Sequence, residues 1–450
     1  MRTFLSFLYL LFICSVSFSS EKQDTLKYRI TLVDKAKTPY SLEKPDAFLS
    51  PKAILRRQKQ HIAIDSLDLP VCQEYIQEIE KCGVRILVTS KWENSVTVSC
   101  NKHKNIEKIQ HLPFVRKIEL VWRGPSAPVR SAERDSISNA YQHIDSTYFG
   151  SSAGQLQLCN MDKVHEAGFR GQGMTIGVID AGFHNADKIT AMSNIRILGT
   201  HDFVDKRADI YAEDSHGMKV LSCMAMNQPH IMIGSAPEAS YWLLRSEDTS
   251  SETLVEQDYW AAAVEFADSV GCDVLNTSLG YFEFDDKSLN YELRHLDGKY
   301  SLMSRQASRI AAKGMILVCS AGNSGKGRWK KITPPADAKD VITVGAVNKE
   351  GVLAPFSSVG HTADNRIKPD VVAVGEEACV MGTDGVQTHA NGTSFASPLI
   401  CGMVACLWQA RPELTATQVI TLVRSLGDRA QYPDNIYGYG IPDFQKGLNP

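Results

Sequence analysis

The sequence predicts an α/β protein with a mainly parallel β-sheet between layers of helices, preceded by a smaller α+β domain. Short continuous apolar runs at 174–179, 274–278 and 315–319 are typical of strands that are buried on both faces of such a sheet. Longer segments at 254–270 and 301–313 have apolar residues at helical spacing, and each leads into one of these runs. Alternating strand and helix units imply a parallel sheet with helices on both sides.

The first residues carry the features of an export signal. Arg2 supplies a positive charge, residues 4–18 are strongly apolar, and small residues at 17–20 precede a charged pair. This pattern predicts a cleavable signal peptide over residues 1–20, because the apolar run is shorter than the ~20 residues that a spanning helix needs. The bulky residue before Cys14 argues against lipidation there. We therefore expect a secreted or periplasmic protein that is not lipid-anchored and has no stable membrane span after signal removal.

Residues 21–122 predict the smaller domain. Strand-like alternation and helical spacing follow one another in the order β-α-β-β-α-β, which is the split βαβ plan of a ferredoxin-like fold. A polar, basic stretch at 40–69 that contains Arg56-Arg57 is predicted to be a solvated loop or a short helix. A polar stretch at 123–154, rich in serine and aspartate, is predicted to be a linker. The predicted strands and helices are at 27–33, 71–82, 84–89, 95–100, 103–111 and 114–121.

The composition of the chain bears on three questions: whether it binds nucleic acid, forms disulfides or holds a metal ion. A chain of 450 residues has room for more than one domain and for a sizeable core. Its formal net charge of -3 gives no electrostatic reason to expect nucleic acid as a partner. Cys319 and Cys406 lie in apolar runs and are predicted to be buried thiols, whereas Cys72 and Cys82 are the best candidates for a disulfide. No group of side chains has metal-site spacing, so no metal ligand is predicted.

Four short segments between residues 178 and 398 contain residue types that could act together in catalysis. They hold Asp180, His216, Asn323 and Ser394, in that order. A serine hydroxyl is a weak nucleophile until a histidine accepts its proton, and a carboxylate must hold that histidine in one tautomer. A side-chain amide and the free N–H groups at a helix start can stabilise the oxyanion that forms. Each residue alone has a plainer explanation, as a helix cap, a turn residue or a strand end, and it is the combination that indicates a hydrolase.

The segments around these residues resemble the signature blocks of the subtilisin-like serine proteases, over about residues 158–444. The resemblance implies a subtilisin-like three-layer fold and a serine endopeptidase that works through an acyl-enzyme. It also implies the roles: Asp180 orients the histidine, His216 is general base and then acid, Ser394 attacks, and Asn323 stabilises the oxyanion. The blocks are Val178-Ile179-Asp180-Ala181-Gly182, Asp214-Ser215-His216-Gly217, Ser320-Ala321-Gly322-Asn323 and Asn391-Gly392-Thr393-Ser394-Phe395-Ala396-Ser397-Pro398.

The same resemblance implies how the substrate binds. An extended peptide would pair with main-chain groups, and the side chain before the scissile bond would enter a pocket. The expected partners are therefore protein or peptide substrates. No cofactor is required for the chemistry, and structural calcium stays open because 227–233 is short where many relatives carry a calcium-binding loop. The substrate-binding residues would be Ser278, Leu279 and Gly280 for the peptide backbone and Ser320, Ala321 and Gly322 for the pocket wall.

The small N-terminal domain also has a counterpart in this resemblance. Its position between a signal and a catalytic domain implies that 21–122 is a propeptide that inhibits the enzyme intramolecularly until the zymogen matures. The peptidase domain would then be 155–450, with the maturation cut somewhere inside the linker at 123–154. An unrelated binding module is the alternative for the N-terminal domain.

Two segments beside the predicted cleft could influence specificity. An insertion at 281–300 is polar and aromatic, and it would either shape the cleft or form a solvated loop. The basic residues that follow Asn323 would either favour acidic substrate side chains or form a solvated face. These basic residues are Lys326, Arg328, Lys330 and Lys331.

Other functions fit the sequence less well. An esterase of the α/β-hydrolase class needs its histidine after the serine, and no histidine follows His389. A dinucleotide-binding module needs a Gly-x-Gly-x-x-Gly turn after the first strand, and none follows 174–179. A catalytically silent relative that only binds peptides stays open. Labelling of Ser394 by a fluorophosphonate would separate it from an active enzyme.

Overall fold

The computed structural model describes residues 25–124, 137, 145 and 147–449. The predicted signal peptide at 1–20 and most of the predicted linker, with the maturation cut expected in it, lie outside the described residues. Within the described part, one helix, Thr393–Ala410, is long and apolar enough to cross a membrane. It is 89% buried inside the protein, so it is a core helix of this fold.

The N-terminal part is a four-stranded antiparallel sheet with the strand order β2-β3-β1-β4. This order and the intervening helices are those of the predicted ferredoxin-like plan, which is therefore confirmed. Ile30, Val96 and Val98 on the sheet pack against Ile79 and Ile109 of the helices to form its core. The strands are β1 (Thr25–Leu32), β2 (Arg85–Ser90), β3 (Ser95–Cys100) and β4 (Val115–Gly124), and the helices are α1 (Pro51–Lys59), α2 (Gln73–Lys81) and α3 (His103–Gln110).

Helix α1 forms within the stretch that was predicted to be a solvated loop or a short helix. Its start is capped by Ser50, whose side chain accepts a hydrogen bond from the Ala53 N–H. Arg56 and Arg57 are only 5% and 1% exposed, because both guanidinium groups bind the carboxylate of Asp268. Of the two alternatives predicted for this stretch, the short helix is present here, but the two arginines are buried and not solvated. Their polarity could not reveal a partner that lies more than 200 positions away, since the separations are 212 and 211.

The proposed disulfide between Cys72 and Cys82 is also wrong. Both are free thiols. Cys72 is the N-cap of α2 and Cys82 is its C-cap, so the helix holds them about 15 Å apart at ~1.5 Å of rise per residue. A disulfide needs Cα atoms within about 7 Å. Cys319 and Cys406 are buried free thiols, as predicted.

The larger part contains a seven-stranded sheet with the order β13-β12-β11-β10-β5-β9-β6. All of its neighbouring strands pair in parallel, as the apolar runs predicted. Its strands are β5 (Thr175–Asp180), β6 (Arg196–Asp202), β9 (Ser240–Arg245), β10 (Val274–Thr277), β11 (Ile316–Ser320), β12 (Ile342–Val347) and β13 (Val371–Val374). Two small antiparallel pairs flank it: β7 (Asn227–Gln228) with β8 (Met232–Ile233), and β14 (Ala378–Met381) with β15 (Gln387–Ala390).

Helices cover both faces of this sheet and produce the three-layer architecture. Alternate residues of β5 belong to different cores: Ile176 and Val178 join one, and Ile179 joins the other. The first core includes α6 and α9, and the second includes α7 and α8. The helices are α4 (Ala153–Gln157), α5 (Met161–Glu166), α6 (His216–Ala225), α7 (Val255–Val270), α8 (Leu302–Ile310), α9 (Thr393–Ala410) and α10 (Ala416–Ser425).

The N-terminal sheet lies against α7. Arg29 on β1 makes a two-point ion pair with Asp258, through two nitrogen–oxygen contacts of 2.6 Å. Thr97 on β3 donates to the same carboxylate at 2.8 Å. About two turns further along the helix, the Ser90 hydroxyl and the Lys91 N–H both donate to Glu265. Charged hydrogen bonds to α7 thus join the two parts of the chain, and Arg309 on α8 adds another by donating to Glu93 at 2.7 Å.

Candidate active site

Asp180 and His216 lie together at the carboxyl edge of the large sheet. Asp180 is the last residue of β5 and is fully buried, and its Oδ1 accepts the Ala181 N–H at 2.8 Å. His216 is the first residue of α6, and its Nδ1 lies 2.7 Å from Asp180 Oδ1. This distance fits a hydrogen bond from the imidazole to the carboxylate. The predicted pairing of these residues is therefore present in the structure.

Two glycines allow this close approach. A Cβ on Gly217 would lie 2.8 Å from the Cβ of Asp180 and would also strike the carbonyl oxygen of Gly182. A Cβ on Gly182 would overlap the main chain at Asp214. Because glycine has no side chain at either position, the start of α6 can rest directly on the end of β5. The glycines of the two motifs therefore set the distance between the histidine and the aspartate.

The electrostatic surroundings favour the charged form of the histidine. Burial by itself lowers the pKa of His216, but the Asp180 charge and hydrogen bond outweigh it, with further contributions from Glu247 and Asp214, and raise the pKa to about 9. Burial and the nearby Asp180 charge raise the pKa of Glu247 to about 8. An imidazolium formed at His216 is thus strongly stabilised by its neighbours.

Ser394 lies at the same edge, in the first turn of α9. Its Oγ donates to the main-chain oxygen of Ser278 at 3.3 Å, and the Ser278 hydroxyl donates back to the Ser394 carbonyl at 2.8 Å. The ring of the next residue, Phe395, has its centroid 5.9 Å from that of His216. The three predicted triad residues are therefore brought together at one rim. Transfer of the serine proton requires the hydroxyl to turn from the Ser278 carbonyl toward the imidazole.

Asn323 is oriented by the residue before the serine. Its Oδ1 accepts from the Thr393 N–H at 2.9 Å and from the Thr393 hydroxyl at 3.0 Å. With the oxygen held in this way, the Nδ2 amide faces Gly392, where a Cβ would lie 3.5 Å from it. The first N–H groups of α9 have no intrahelical acceptors. The side-chain amide and the start of the helix thus converge on the same small region.

A buried network that the sequence did not predict fixes the start of α9 against β10. Ser397 donates to Asn276 Oδ1 at 2.8 Å, and Asn276 Nδ2 donates to the Ser278 hydroxyl at 3.1 Å. All three side chains are buried, so the network is shielded from competing water. Each residue is an ordinary polar residue in its own segment, and only the folded chain shows that they form one group.

The predicted substrate-binding residues lie in two adjacent segments. Ser278, Leu279 and Gly280 follow β10, and Ser320, Ala321 and Gly322 end or follow β11, the neighbouring parallel strand. A third segment joins them: the Thr333 N–H donates to the Ala321 carbonyl at 3.2 Å, and the Tyr281 N–H donates to the Pro334 carbonyl at 3.1 Å. Thr333 was not predicted, because no motif marks it.

The two segments predicted to lie beside the cleft, the insertion at 281–300 and the basic residues after Asn323, differ in burial. In the insertion at 281–300, Tyr281, Phe284, Tyr291 and Leu296 join the core around α7, so this segment is not simply a solvated loop. Lys326, Arg328 and Lys330 are exposed, and Trp329 between them stacks on Phe282 with centroids 4.6 Å apart. An effect of either segment on specificity stays a prediction. Among the described residues, no group of His, Cys, Asp and Glu could hold a metal ion.

Comparisons with known proteins agree with this geometry. The model of the Subtilase family matches residues 171–440, and that of the Peptidase S8 propeptide domain, Bacteroidota, matches residues 27–137. The chain is 28% identical over 283 residues to Subtilisin DY of Bacillus licheniformis, which covers 62% of this chain and 93% of that protein. It is 27% identical over 315 residues to Subtilisin E of Bacillus subtilis (strain 168), covering 69% and 73%.

Solved structures share the fold at lower identity. The MycP3 protease from the type VII (ESX-3) secretion system has a TM-score of 0.53 at 21% identity, covering 72% of this chain and 99% of that one. MycP1 with its N-terminal propeptide removed has a TM-score of 0.52 at 22% identity, covering 66% and 98%. At this identity the likeness concerns the fold alone.

Proposed function

This chain belongs to the subtilase family of serine peptidases, and from that premise we propose that it is an exported endopeptidase, made as a zymogen, with Asp180, His216 and Ser394 as its catalytic triad. The observation that carries the proposal is the 2.7 Å contact between His216 Nδ1 and Asp180 Oδ1 at the sheet edge where α9 presents Ser394. These residues are far apart in the sequence, and an arrangement of this kind is what nucleophilic catalysis by serine requires.

The proposed reaction begins with proton transfer from Ser394 Oγ to His216 Nε2 as the oxygen attacks the scissile carbonyl carbon. Asp180 keeps the Nδ1 proton in place and stabilises the imidazolium that forms. The carbonyl oxygen becomes an oxyanion, which accepts hydrogen bonds from Asn323 Nδ2 and the Ser394 N–H. His216 then returns its proton to the leaving amine as the peptide C–N bond breaks. The acyl group stays on Ser394.

The second half of the reaction removes the acyl group with water. His216 takes a proton from the water as its oxygen attacks the ester carbon, and the oxyanion is stabilised by the same donors. Collapse of this intermediate returns the proton to Ser394 Oγ and releases the new carboxyl terminus. The proposed chemistry therefore uses protein groups and water throughout.

We also propose that the domain that contains β1–β4 acts as an intramolecular inhibitor. Support comes from the match to a peptidase propeptide model and from the charged contacts to α7, next to the cleft. A further contact lies near the end of β4, where Trp122 Nε1 donates to Ser251 Oγ, in the segment before α7, at 3.4 Å. Export to the periplasm or the medium is proposed from the signal-like residues 1–20 and from the likeness to subtilisins.

The Ser394→Ala variant tests two proposals: that Ser394 is the nucleophile, and that the zymogen processes itself. The wild-type protein should react with a fluorophosphonate at Ser394 and should acquire a mature N-terminus within 123–154, whereas the alanine variant should do neither. Mass spectrometry of both purified proteins gives the label and the N-terminus. A folded, mature wild-type protein that takes no label would favour the silent, peptide-binding alternative. Equal trimming of the variant would show that another protease performs the maturation.

A further inference from the structure

The segments that the family resemblance assigns to substrate binding, 278–280 and 320–322, are joined at one end by a third segment. The Thr333 N–H donates to the Ala321 carbonyl, and the Pro334 carbonyl accepts the Tyr281 N–H, so residues 333–334 connect the two expected walls of the pocket next to the scissile bond. A side chain that enters between the walls therefore ends its path at this segment. Thr333 is 4% exposed and lies at that end.

The Thr333 side chain extends between the walls. A Cβ built on Gly280 would overlap Thr333 Oγ1 and would lie 3.2 Å from Thr333 Cβ. A Cβ built on Gly322, on the opposite wall, would lie 3.0 Å from the same Oγ1 and 3.3 Å from Thr333 Cγ2. One threonine thus contacts both glycines. The room that two glycines would leave for a substrate side chain is occupied by this residue.

Residues behind Gly322 hold it in place, so the space between the two segments cannot be enlarged by a shift of Gly322. Behind Gly322, the Ser358 N–H donates to the Gly322 carbonyl at 2.9 Å, and the Ser358 hydroxyl accepts the Ser324 N–H at 3.0 Å. Ser358 itself is fully buried. Well-packed walls of this kind do not open for a large group without a cost in packing energy.

From this geometry we propose that Thr333 limits the pocket, so that the enzyme cleaves after residues with small side chains such as glycine, alanine and serine. The inference rests on the proposed peptidase function and names the substrate class of that site. Lys326, Arg328 and Lys330 are exposed, whereas Thr333 is buried between Gly280 and Gly322. The property that Thr333 selects is therefore the size of the substrate side chain.

The test compares wild type with Thr333→Gly and Thr333→Val on peptide substrates that differ only in the residue before the cleaved bond. Wild type should cleave after alanine with a kcat/KM at least about 10-fold above that for leucine or phenylalanine, since one methylene in a pocket changes the rate by about 10- to 200-fold. Thr333→Gly should raise the relative kcat/KM for phenylalanine by about 10-fold or more. Thr333→Val keeps the volume and should keep the preference for alanine.

Fluorophosphonate labelling separates the possible failures. A labelled wild-type enzyme that cleaves after phenylalanine as fast as after alanine would overturn the pocket proposal and leave the peptidase function intact. A wild-type protein that neither labels nor cleaves any substrate would instead refute the proposed function. If Thr333→Gly does not fold, inhibition of wild type by peptide aldehydes ending in alanine or phenylalanine decides the matter. Equal inhibition constants would contradict the proposal.

Discussion

The catalytic edge, where Asp180, His216 and Ser394 lie, and the interface between α7 and the N-terminal domain both contain buried charge. The buried carboxylates of the two regions differ in their hydrogen bonding. At the interface, both oxygens of Asp268 are bound by Arg56, Arg57 or Lys91, and both oxygens of Glu265 accept hydrogen bonds. At the catalytic edge, within the described part of the chain, one oxygen of each carboxylate, Asp180 Oδ2 and Glu247 Oε2, is buried without a hydrogen-bond partner. The contrast concerns the carboxylates, because the interface also has unpartnered buried atoms on other side chains, Arg57 Nε, Trp92 Nε1 and Gln306 Oε1.

The difference indicates different roles for the two regions. Buried polar groups are nearly always paired in folded proteins, and a paired network resists change. The interface therefore holds the N-terminal domain in place, whereas the catalytic edge keeps polar capacity for a substrate and for the charges that arise during the reaction. Four substitutions test whether the two regions have these different roles.

Asp180→Asn should have the largest effect, on activity and not on the interface. The amide keeps the size of the side chain but cannot hold the same tautomer of His216 or stabilise the imidazolium. We expect kcat to fall by about 10,000-fold, with fluorophosphonate labelling slowed in parallel. Asp187→Asn is the control, since Asp187 lies outside the triad. A loss of less than about tenfold would remove Asp180 from the catalytic assignment.

Asp268→Asn should break the interface and leave the catalytic edge unchanged. Loss of this carboxylate charge leaves Arg56 and Lys91 without an anionic partner, while Arg57 keeps its ion pair with Asp68, and breaking a buried ion pair destabilises by about 3–5 kcal/mol. Urea unfolding of the uncut Ser394→Ala protein measures the change. Glu74→Gln, which removes an exposed ion pair with Lys37, should leave the urea midpoint close to that of the parent protein. Equal effects of the two substitutions would contradict the role given to the buried cluster.

Asn323→Ala should lower kcat by about 100- to 1,000-fold, the size of effect found for such a donor in subtilisin. Asn323 Oδ1 also accepts the N–H and the hydroxyl of the buried Thr393, so the urea midpoint should fall somewhat, whereas KM should stay close to that of wild type. Steady-state kinetics with one peptide substrate provide the measurement. An equal rise in KM would indicate that the amide binds the ground state.

Glu247→Gln should have the smallest effect, a change in the pH profile. His216 must be neutral to accept the serine proton, and its pKa is raised to about 9, so activity should rise as the pH approaches 9 from below. Glu247 is one source of that raised pKa, and removal of its charge should move the rising limb of kcat/KM to lower pH. An unchanged limb would show that Glu247 is protonated throughout, or that another group controls activity.

The sequence was most informative where chemistry and local structure coincide. Asp180 at a strand end, His216 at a helix start and Ser394 before an apolar helix could each be identified from neighbouring residues, and the structure brings them to one rim. Thr333 and the Arg56-Arg57 pair could not, because their surroundings come from segments that are distant along the chain. A threonine in a loop or a basic pair in a polar stretch has no local sign of the space that it fills.

Helix α9 carries one further consequence. It lies at the centre of the larger core, with Leu399, Ile400, Met403 and Val404 fully buried, and Ser394 occupies its first turn. The proposed nucleophile thus lies on a helix that is packed into the core of the domain. Heat inactivation should therefore coincide with the cooperative melting of the whole domain, so that residual activity reports directly on the fraction of molecules still native.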